Sequence, residues 1–459
     1  MTLKFCGGAG TVTGACYLLE TKGKKILVDC GAYQGEGVEE KNREPFLFNP
    51  KEIDWVILTH AHLDHIGRLP KLIKEGFEGK IFSTLPTRDF TKLILEDSVK
   101  ILEEKARKAG ILPLFGFNEM DQVMRHFEAV EYHEVKKLAW GISFKFYDAG
   151  HVLGSAIAEI EAEGKKIVFS GDLGNAAMPL LPEPDQIKEA DYIIVESTYG
   201  DRNHESLLES KDMIENAVED AVARRGVLMI PSFALERAQQ IIYYLNDLVE
   251  RKRIPQIPVF LDSPLACSMT DVYKKYFRYY SNEAKKRIES GDDIFKFPGL
   301  VFSASGRDSK KINAVDPPKI IIAGSGMSQG GRIVHHEQRY LPDEKSILLL
   351  VAYQAQGTIG RKISDGAKSV EIFDQPVEAK AEVRKISGYS SHADQKFLME
   401  WIAGFQKPVC AADKKKKGRV KKVFVVHGEE KPAATLAGLI RDELGIEAVA
   451  AKEGQEEKL

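Results

Sequence analysis

A run of three histidines and one aspartate within six residues constrains this chain more than any other part of its sequence. The run is Thr59-His60-Ala61-His62-Leu63-Asp64-His65. In an extended chain alternate residues face the same side, so we expect His60, His62 and Asp64 to line one small region. His65 is expected at the turn into a helix, facing a neighbouring point. Imidazole and carboxylate ligands suit zinc or a similar transition metal, and the run therefore predicts a metal site.

Further ligand-type residues follow predicted strands or turns elsewhere in the chain. His151 ends the turn Asp148-Ala149-Gly150-His151, Asp172 follows a predicted strand, and His427 follows another. Taken alone, such an aspartate is more often a turn former, and such a histidine more often packs in the core. The histidine-rich run changes this balance. Its four ligands are too few for a centre that holds a pair of metals, so the separate histidines and the aspartate become candidate ligands.

Composition and charge limit the classes of protein to which the chain can belong. It has 459 residues, of which 43% are hydrophobic, and a formal net charge of −3. This length predicts two or three domains. The overall charge does not draw the chain to nucleic acid, so a site for a polyanion must be local, where bound cations supply the attraction.

The sequence predicts a cytoplasmic protein with no membrane partner. We see no run of about 18 apolar residues that would predict a transmembrane helix, and Met1–Gly10 does not resemble a signal peptide. The five cysteines, an odd number, include no CxxC pair. Disulfides and a cysteine zinc knuckle are therefore not expected, which fits a reducing compartment.

The first half of the chain alternates short apolar runs with turns. It predicts a surface helix at Arg88–Gly110 and buried strands at Lys25–Asp29, Trp55–Thr59, Lys166–Ser170 and Tyr192–Glu196.

After about Asn203 helices alternate with strands, which predicts a separate α/β domain with a parallel sheet. The predicted helices are Glu209–Arg224 and Ala234–Lys252, and the predicted strands are Val227–Ile230, Pro258–Leu261, Lys319–Ala323 and Ile347–Val351. The last part predicts a strand at Val423–Val426 and a helix at Pro432–Leu444. Before them, the basic stretch Asp413–Lys422 predicts an exposed loop or hairpin.

These separated residues resemble the metallo-β-lactamase superfamily, in which an HxHxDH run precedes a distant histidine, a bridging aspartate and a last histidine. The resemblance implies two zinc ions, with manganese as the alternative metal. It implies these ligands: His60, His62 and His151 for one metal, Asp64, His65 and His427 for the other, and Asp172 as the bridge. Asp29 matches the first motif of the superfamily, an aspartate that orders the metal loop without binding metal.

Other motifs resemble the β-CASP branch of that superfamily, which processes nucleic acids. Glu196-Ser197-Thr198-Tyr199-Gly200-Asp201 is similar to its acidic first motif, Ser390-Ser391-His392-Ala393-Asp394 to its second, and His427 to its third. A histidine at the third motif accompanies RNA enzymes, whereas DNA-repair members usually carry valine. The relatives implied are RNase J-like proteins and the cleavage and polyadenylation endonuclease.

The resemblance implies an α/β fold class: an αββα metallo-β-lactamase sandwich with an inserted β-CASP cap that is itself α/β with a parallel sheet. The implied boundaries are residues 1–202 for the first part of the sandwich, 203–382 for the cap and 383–459 for its C-terminal part.

The implied activity is hydrolysis of RNA phosphodiester bonds by a hydroxide that two metals activate. In this mechanism Asp64 belongs to the catalytic group, and His392, assisted by Glu196, acts as the general acid. Hydroxyl and guanidinium groups can bind phosphate, so the predicted substrate contacts are Ser325, Arg332 and Ser391. Arg332 has the alternative of a structural ion pair. For His335-His336 we predict packing or surface exposure and not a third metal site.

Several alternatives stay open at this point. A small-molecule hydrolase of the same fold, acting on thioesters, lactams or simple phosphodiesters, would use the ligands but leave the cap and the Glu196 and His392 motifs without a role. A non-catalytic scaffold of an RNA-processing complex is the other alternative. The sequence predicts single-stranded RNA as partner, but leaves open internal against 5′-end cleavage, a homodimer, and whether Lys414–Lys422 grips RNA.

Overall fold

The computed structural model of the chain describes residues 1–459 apart from 36, 176–177, 205–206, 353, 387–389 and 407–419. The chain divides into two compact units. Unit 1 comprises Met1–Ala176, Leu181–Asn203 and His392–Leu459, and unit 2 comprises Ala177–Leu180 and His204–Ser391. Among the described residues, no helix is both long enough and apolar enough to span a membrane. The domain boundaries given above stay a prediction.

The strands, in chain order, are β1 (Thr2–Phe5), β2 (Tyr17–Thr21), β3 (Lys24–Val28), β4 (Trp55–Ile57), β5 (Lys80–Ser83), β6 (Phe127–Ala129), β7 (Val135–Lys137), β8 (Ser143–Asp148), β9 (Ala156–Ala162), β10 (Lys165–Phe169), β11 (Tyr192–Val195), β12 (Val227–Pro231), β13 (Val259–Asp262), β14 (Leu300–Phe302), β15 (Lys319–Ala323), β16 (Ile347–Leu350), β17 (Ser369–Ile372), β18 (Gln375–Glu378), β19 (Glu382–Lys385), β20 (Lys422–Val425), β21 (Ala448–Ala450) and β22 (Glu456–Lys458).

The α-helices are α1 (Leu63–Ile66), α2 (Leu69–Lys74), α3 (Leu85–Ala109), α4 (Phe117–Arg125), α5 (Leu207–Arg224), α6 (Arg237–Glu250), α7 (Pro264–Lys275), α8 (Asn282–Glu289), α9 (Gly306–Ile312), α10 (Ile333–Tyr340), α11 (Ile359–Ser364), α12 (Gln395–Gly404) and α13 (Glu430–Leu444). Short 3₁₀ turns occur at Glu39–Arg43, Pro50–Glu52, Ala139–Gly141 and Phe277–Tyr279.

In its described part, unit 1 is built on two sheets. One has the strand order β22-β1-β2-β3-β4-β5-β6 and the other the order β21-β20-β11-β10-β9-β8-β7. Apolar residues from both sheets share one buried core, for example Phe5 and Ile57 from the first sheet with Phe144 and Phe169 from the second. The sheets therefore pack face to face, as the metallo-β-lactamase sandwich requires.

The outer face of the second sheet carries a helical layer. Val168 and Val423 point into another buried cluster, which they share with Leu398 of α12 and Leu436 of α13. The long helix α3 lies against β6. Thr84 caps its start, because the Thr84 hydroxyl accepts the amide of Thr87, and Gly110 ends it in the left-handed conformation at φ 66°.

The sheet of unit 2 has the order β14-β13-β15-β12-β16-β19, and each neighbouring pair is parallel. Its central strands are buried on both faces, which is why Val227–Pro231 and Lys319–Ala323 are apolar runs with little alternation. Val227, Met229 and Ile321 share a core with Ile333 of α10. A separate hairpin pairs β17 with β18.

The fold class predicted from the sequence is confirmed, and the elements agree closely with it. The strand predicted at Lys166–Ser170 is β10, and the helix predicted at Arg88–Gly110 is α3. The parallel sheet predicted after Asn203 is present in unit 2. Most of the predicted basic loop lies outside the described residues. Its last residue, Lys422, begins β20 and pairs with Glu447 and Glu457.

Candidate metal centre

Five of the predicted metal ligands follow strands of unit 1, and the other two, Asp64 and His65, lie on α1. His60 and His62 follow β4, His151 follows β8, Asp172 follows β10 and His427 follows β20. β4 belongs to the first sheet and β8, β10 and β20 to the second, so the packing of the two sheets brings residues that are far apart in the chain into one cluster. Three groups of ligand-type residues result among the described residues: His60, His62, His151 and Asp172 form the first, Asp64, His65 and His427 form the second, and Asp172, Glu196 and His392 form the third.

In the first group the ring nitrogens face one another at short range. His62 Nδ1 lies 3.0 Å from His60 Nε2 and 3.1 Å from His151 Nε2. Asp172 Oδ2 lies 3.4 Å from His60 Nε2 and 3.6 Å from His151 Nε2. His60, His151 and Asp172 are buried, and His62 is half-buried.

In the second group His427 is the central residue. Its Nε2 lies 3.3 Å from His65 Nε2 and 3.3 Å from Asp64 Oδ2. The other carboxylate oxygen of Asp172, Oδ1, lies 3.4 Å from His65 Nε2 and 3.6 Å from His427 Nδ1. Asp172 therefore directs one oxygen to each of these two groups, which is the arrangement expected of a bridging ligand.

The residues fit a pair of metal cations. Asp172 Oδ1 is buried and accepts no hydrogen bond from any described residue. An unpaired buried carboxylate oxygen is costly, and a cation would satisfy it. Zinc bonds of about 2.0–2.1 Å in a tetrahedron place the ligand atoms roughly 3.3–3.4 Å apart. Most of the distances given above lie close to that separation.

Asp29 holds the metal loop without facing the cluster. Its carboxylate accepts the backbone amide and the hydroxyl of Thr59, both at 2.8 Å. It also accepts the Nδ1 proton of His65 at 2.8 Å. This contact leaves His65 Nε2 turned toward His427 and Asp172, so Asp29 fixes both the tautomer and the direction of the ring. The orienting role of Asp29 toward a bound metal stays a prediction.

The protonation states of His60, His62 and Asp172 suit cation binding. Burial lowers the pKa of His60 well below its ordinary value and that of His62 to about 4, so both rings are neutral near pH 7. Burial alone would raise the pKa of Asp172, but the rings of His427 and His65 outweigh it and hold that pKa well below the usual range. Asp172 is therefore ionised. Burial also opposes a charge on His65, but the carboxylates of Asp172 and Asp29 raise its pKa.

Glu196 and His392 form a pair beside this cluster. His392 Nδ1 lies 3.1 Å from Glu196 Oε2 and 3.9 Å from Asp172 Oδ2. Glu196 is completely buried, and its Oε1 accepts the amide of Leu173 at 2.7 Å. Burial lowers the pKa of His392, but the carboxylates of Glu196 and Asp172 outweigh it and raise the pKa to about 9.

The local geometry of the histidine-rich run differs from the extended chain that we expected. Helix α1 begins at Leu63, so Asp64 and His65 lie on a helical turn. Asp64 consequently lies with His65 and His427, and not with His60 and His62. The expectation that alternate residues line one region holds for His60 and His62 and is wrong for Asp64, because the strand ends earlier, at Ile57.

The predicted substrate contacts lie in unit 2. Ser325 is half-buried in the loop after β15, and its hydroxyl makes no hydrogen bond with any described residue. Ser391 accepts a hydrogen bond from Arg237 Nη2 at 3.1 Å. Arg332 donates to Asp262 and to the carbonyl of Ser303, both at 2.7 Å, which favours the structural alternative for this residue.

The double histidine on α10 is used for packing. His336 is buried and lies 2.7 Å from Asp262 through its Nε2. The ring of His335 packs on Phe373, with ring centroids 4.6 Å apart. No metal-type cluster of described residues includes either of them.

Sequence reasoning missed two residues that contact the predicted site residues. Thr198 Oγ1 lies 3.3 Å from His427 Nδ1, and Thr198 belongs to the acidic motif that was recognised through Glu196. Arg237 contacts Ser391, and it begins α6, the helix predicted at Ala234–Lys252. A motif or a helical pattern does not show which side chains touch.

The domains of known proteins match this chain along most of its length. Residues 9–224 match the metallo-beta-lactamase superfamily, residues 238–363 match the Beta-Casp domain, and residues 376–451 match the Zn-dependent metallo-hydrolase RNA specificity domain. A solved protein of unknown function from Enterococcus faecalis V583 superposes with a TM-score of 0.58, covering 100% of this chain and 99% of that chain. At 14% identity this likeness concerns the fold alone.

Relatives that align with nearly the whole of this chain carry names from RNA metabolism. A ribonuclease of Thermus thermophilus is 38% identical over 434 residues, which cover 95% of this chain and 94% of the relative. An RNase J-like protein of Methanocaldococcus jannaschii is 32% identical, covering 97% and 96%. The transcription termination factor FttA of Methanosarcina mazei is 31% identical, covering 96% of this chain and 69% of the factor. The chain belongs to the β-CASP branch of the metallo-β-lactamase superfamily, with ribonuclease and RNase J-like proteins as its relatives.

Proposed function

We propose that this chain is a metal-dependent ribonuclease that hydrolyses phosphodiester bonds of single-stranded RNA in RNA processing or decay. The observation that carries the proposal is that Asp172 directs one carboxylate oxygen to each of two ligand groups, with the Glu196–His392 pair directly beside them. The names of the relatives and the match of residues 376–451 to an RNA specificity domain support RNA as the substrate.

The ligand set supports two zinc ions, with manganese as the alternative metal. Neutral imidazoles and an ionised bridging carboxylate are the ligand forms that zinc requires. Asp64 supplies a carboxylate to the second group and belongs to the catalytic centre for that reason. Bound cations there supply Lewis-acid chemistry, which neutralises phosphate charge and activates water.

His392 is the proposed general acid. Its Nδ1 is directed to Glu196, so its Nε2 is the atom that delivers a proton. A pKa of about 9 keeps the ring protonated near pH 7. When water adds to phosphorus and the bond to the 3′ oxygen breaks, that oxygen takes the proton from Nε2. The ring then regains a proton from the water that reacted, and the products are a 3′ hydroxyl and a 5′ phosphate.

Glu196 is the proposed positioning residue for this proton transfer. It is held by the amide of Leu173 and by burial, so its two oxygens keep the ring of His392 in one orientation. Ser325 and Ser391 are the proposed phosphate contacts of unit 2. The substrate role of Arg332 is the weaker proposal, since Asp262 and Ser303 already accept from its guanidinium group.

Two alternatives make different predictions. A small-molecule hydrolase would use the metal ligands but would not need His392 and Glu196 as a pair. A scaffold would not need the ligands, whereas every predicted ligand lies in one of the first two groups. The described cysteines are all unpaired, which supports a cytoplasmic location. A homodimer is also proposed, although no contact of the described residues supports it.

The test is cleavage of RNA by the zinc-loaded protein, with His392→Ala as the variant. RNA labelled internally or at its 5′ end is compared with single-stranded DNA of matched sequence. We expect cleavage of RNA and a loss of about 10²- to 10⁴-fold in His392→Ala, since that is the usual contribution of general-acid catalysis. The product ladder distinguishes internal cleavage from 5′-end attack.

The control is His133→Ala, which removes an exposed histidine of the same unit, with 60% of its side chain accessible. We expect this variant to cleave RNA at the wild-type rate, and both variants to retain their metal. Intact RNA together with hydrolysis of a thioester would replace the proposal by the small-molecule hydrolase. Absence of both metal and hydrolysis would favour the scaffold.

A further inference from the structure

An exposed phenylalanine lies at the carboxyl end of the parallel sheet in unit 2. Phe233 follows β12 by two residues, and 41% of its surface is exposed. After β12 the chain forms β13 and β14 on one side of β12 in the sheet. It later forms β16 and β19 on the other side of β12. Open α/β sheets bind ligands outside the carboxyl ends of their strands at such a switch in strand order.

The ring of Phe233 is held in place by a glycine. A Cβ atom added to Gly326 would lie 3.0 Å from two carbons of the ring and 3.1 Å from a third. Gly326 does not have the left-handed φ that would by itself require glycine. Contact with the ring is therefore the physical reason for a glycine at this position, and the ring as a whole stays 41% exposed.

The backbone on both sides of this contact is fixed by hydrogen bonds. The carbonyl of Phe233 accepts the hydroxyl of Ser232 at 3.1 Å and the amide of Ala238 at 3.3 Å. The carbonyl of Gly326 accepts Gln354 Nε2 at 3.0 Å. The backbone that carries the exposed ring is thus ordered, so the ring loses little conformational entropy when it contacts a flat ligand.

Ser325, whose hydroxyl has no hydrogen-bond partner among the described residues, directly precedes Gly326 in the loop after β15. Ser325 stands between Gly326, which contacts Phe233, and Gly324, where an added Cβ would lie 3.4 Å from Ser263 Oγ. A flat apolar surface beside a free hydroxyl matches a nucleotide, which has a base with two π faces and a polar backbone.

We propose that Phe233, supported by Gly326, stacks against one base of the RNA while Ser325 contacts the adjoining backbone. The inference rests on the proposed ribonuclease function and assigns a base-binding position to unit 2. Stacking tolerates every base, because each base has a π face. The position therefore adds affinity for single-stranded RNA without imposing a strong sequence preference.

The first experiment compares Phe233→Ala, Phe233→Tyr and Phe277→Ala in the full-length, zinc-loaded protein. Phe277 is the matched control, a phenylalanine of unit 2 that is 51% exposed. Loss of one stacked base weakens binding by about 5- to 150-fold, so we expect KM for RNA to rise by that factor in Phe233→Ala with little change in kcat. We expect the wild-type KM in Phe233→Tyr and Phe277→Ala.

The second experiment identifies the base. RNA oligonucleotides that lack one base at successive positions are bound to wild-type protein and to Phe233→Ala. At one position we expect the missing base to weaken binding to the wild type but to have no further effect in the variant. Equal penalties in both proteins at every position, or an unchanged KM in Phe233→Ala, would overturn the stacking proposal.

These outcomes separate the inference from the function on which it rests. Wild-type protein that cleaves RNA, together with an unaffected Phe233→Ala variant, would leave the ribonuclease and remove only the stacking position. Wild-type protein that neither binds nor cleaves RNA would overturn both. The thermal unfolding midpoint of each variant shows whether a change in KM comes from a loss of folded protein.

Discussion

At the scale of single residues, the contacts of Asp29 show how one buried carboxylate orders a whole loop. It accepts hydrogen bonds from Thr59 and from His65, and it stands at φ 60°, a conformation that aspartate tolerates better than most residues. It lies outside all three ligand groups. Its effect on metal binding should therefore pass through the orientation of His65.

We predict that Asp29→Ala weakens zinc binding by about 10- to 100-fold, the usual cost of removing a partner that orients a metal-binding histidine. Zinc affinity, measured by competition with a chromophoric chelator, tests this. Asp54→Ala is the control, since Asp54 is also a carboxylate of unit 1 but pairs with Lys24. Equal zinc affinity in wild type and Asp29→Ala would contradict the orienting role.

The sequence was most informative about which residues are ligand-type and least informative about how they meet. Three imidazoles and a carboxylate in six residues pointed to metal without any structure. The grouping of Asp64 with His427 did not follow from local geometry, because it depends on where β4 ends and α1 begins. Only the family resemblance implied it.

At the scale of elements, each strand that an apolar run predicted lies within two residues of its predicted bounds, because buried strands must be apolar. Close approach between elements could not be predicted in this way. Gly31 is an example, since a Cβ atom there would lie 1.4 Å from the carbonyl oxygen of Asp64. The glycine is required by the packing of α1 against the end of β3, and neither stretch shows this by itself.

A buried glutamic acid on α10 should make the stability of the protein depend on pH. Glu337 is fully buried, its Oε1 accepts the hydroxyl of Ser328, and burial raises its pKa to about 7. The folded protein therefore keeps this group protonated at pH values where the unfolded chain ionises it. The contribution of protonated Glu337 to the free energy of unfolding is complete below about pH 4.3 and is lost as the pH rises to about 7.

We predict that Glu337→Gln changes this pH dependence. The amide stays neutral, so the free energy of unfolding of the variant, relative to wild type, should rise between pH 5 and 7 by roughly 2–3 kcal/mol. Chemical denaturation at several pH values measures it, with the exposed Glu344→Gln as control. A difference between wild type and Glu337→Gln that is independent of pH would show that Glu337 is ionised in the folded protein.

At the scale of the whole molecule, the ligands span the chain from His60 to His427 and yet lie in one unit. The positions of these residues in the sequence do not by themselves show that they are close in space. The alternation of helices and strands after Asn203 did predict a parallel sheet, because this pattern allows few other arrangements. The central claim is that the ligand cluster binds metal and that RNA hydrolysis depends on it.

The measurement that tests this claim most directly is cleavage of labelled RNA by protein stripped with a chelator and then titrated with zinc. We predict no cleavage by the stripped protein, and a return of activity that saturates near two zinc ions per chain. Cleavage that persists without metal, or activity that is complete with one zinc ion, would contradict the account.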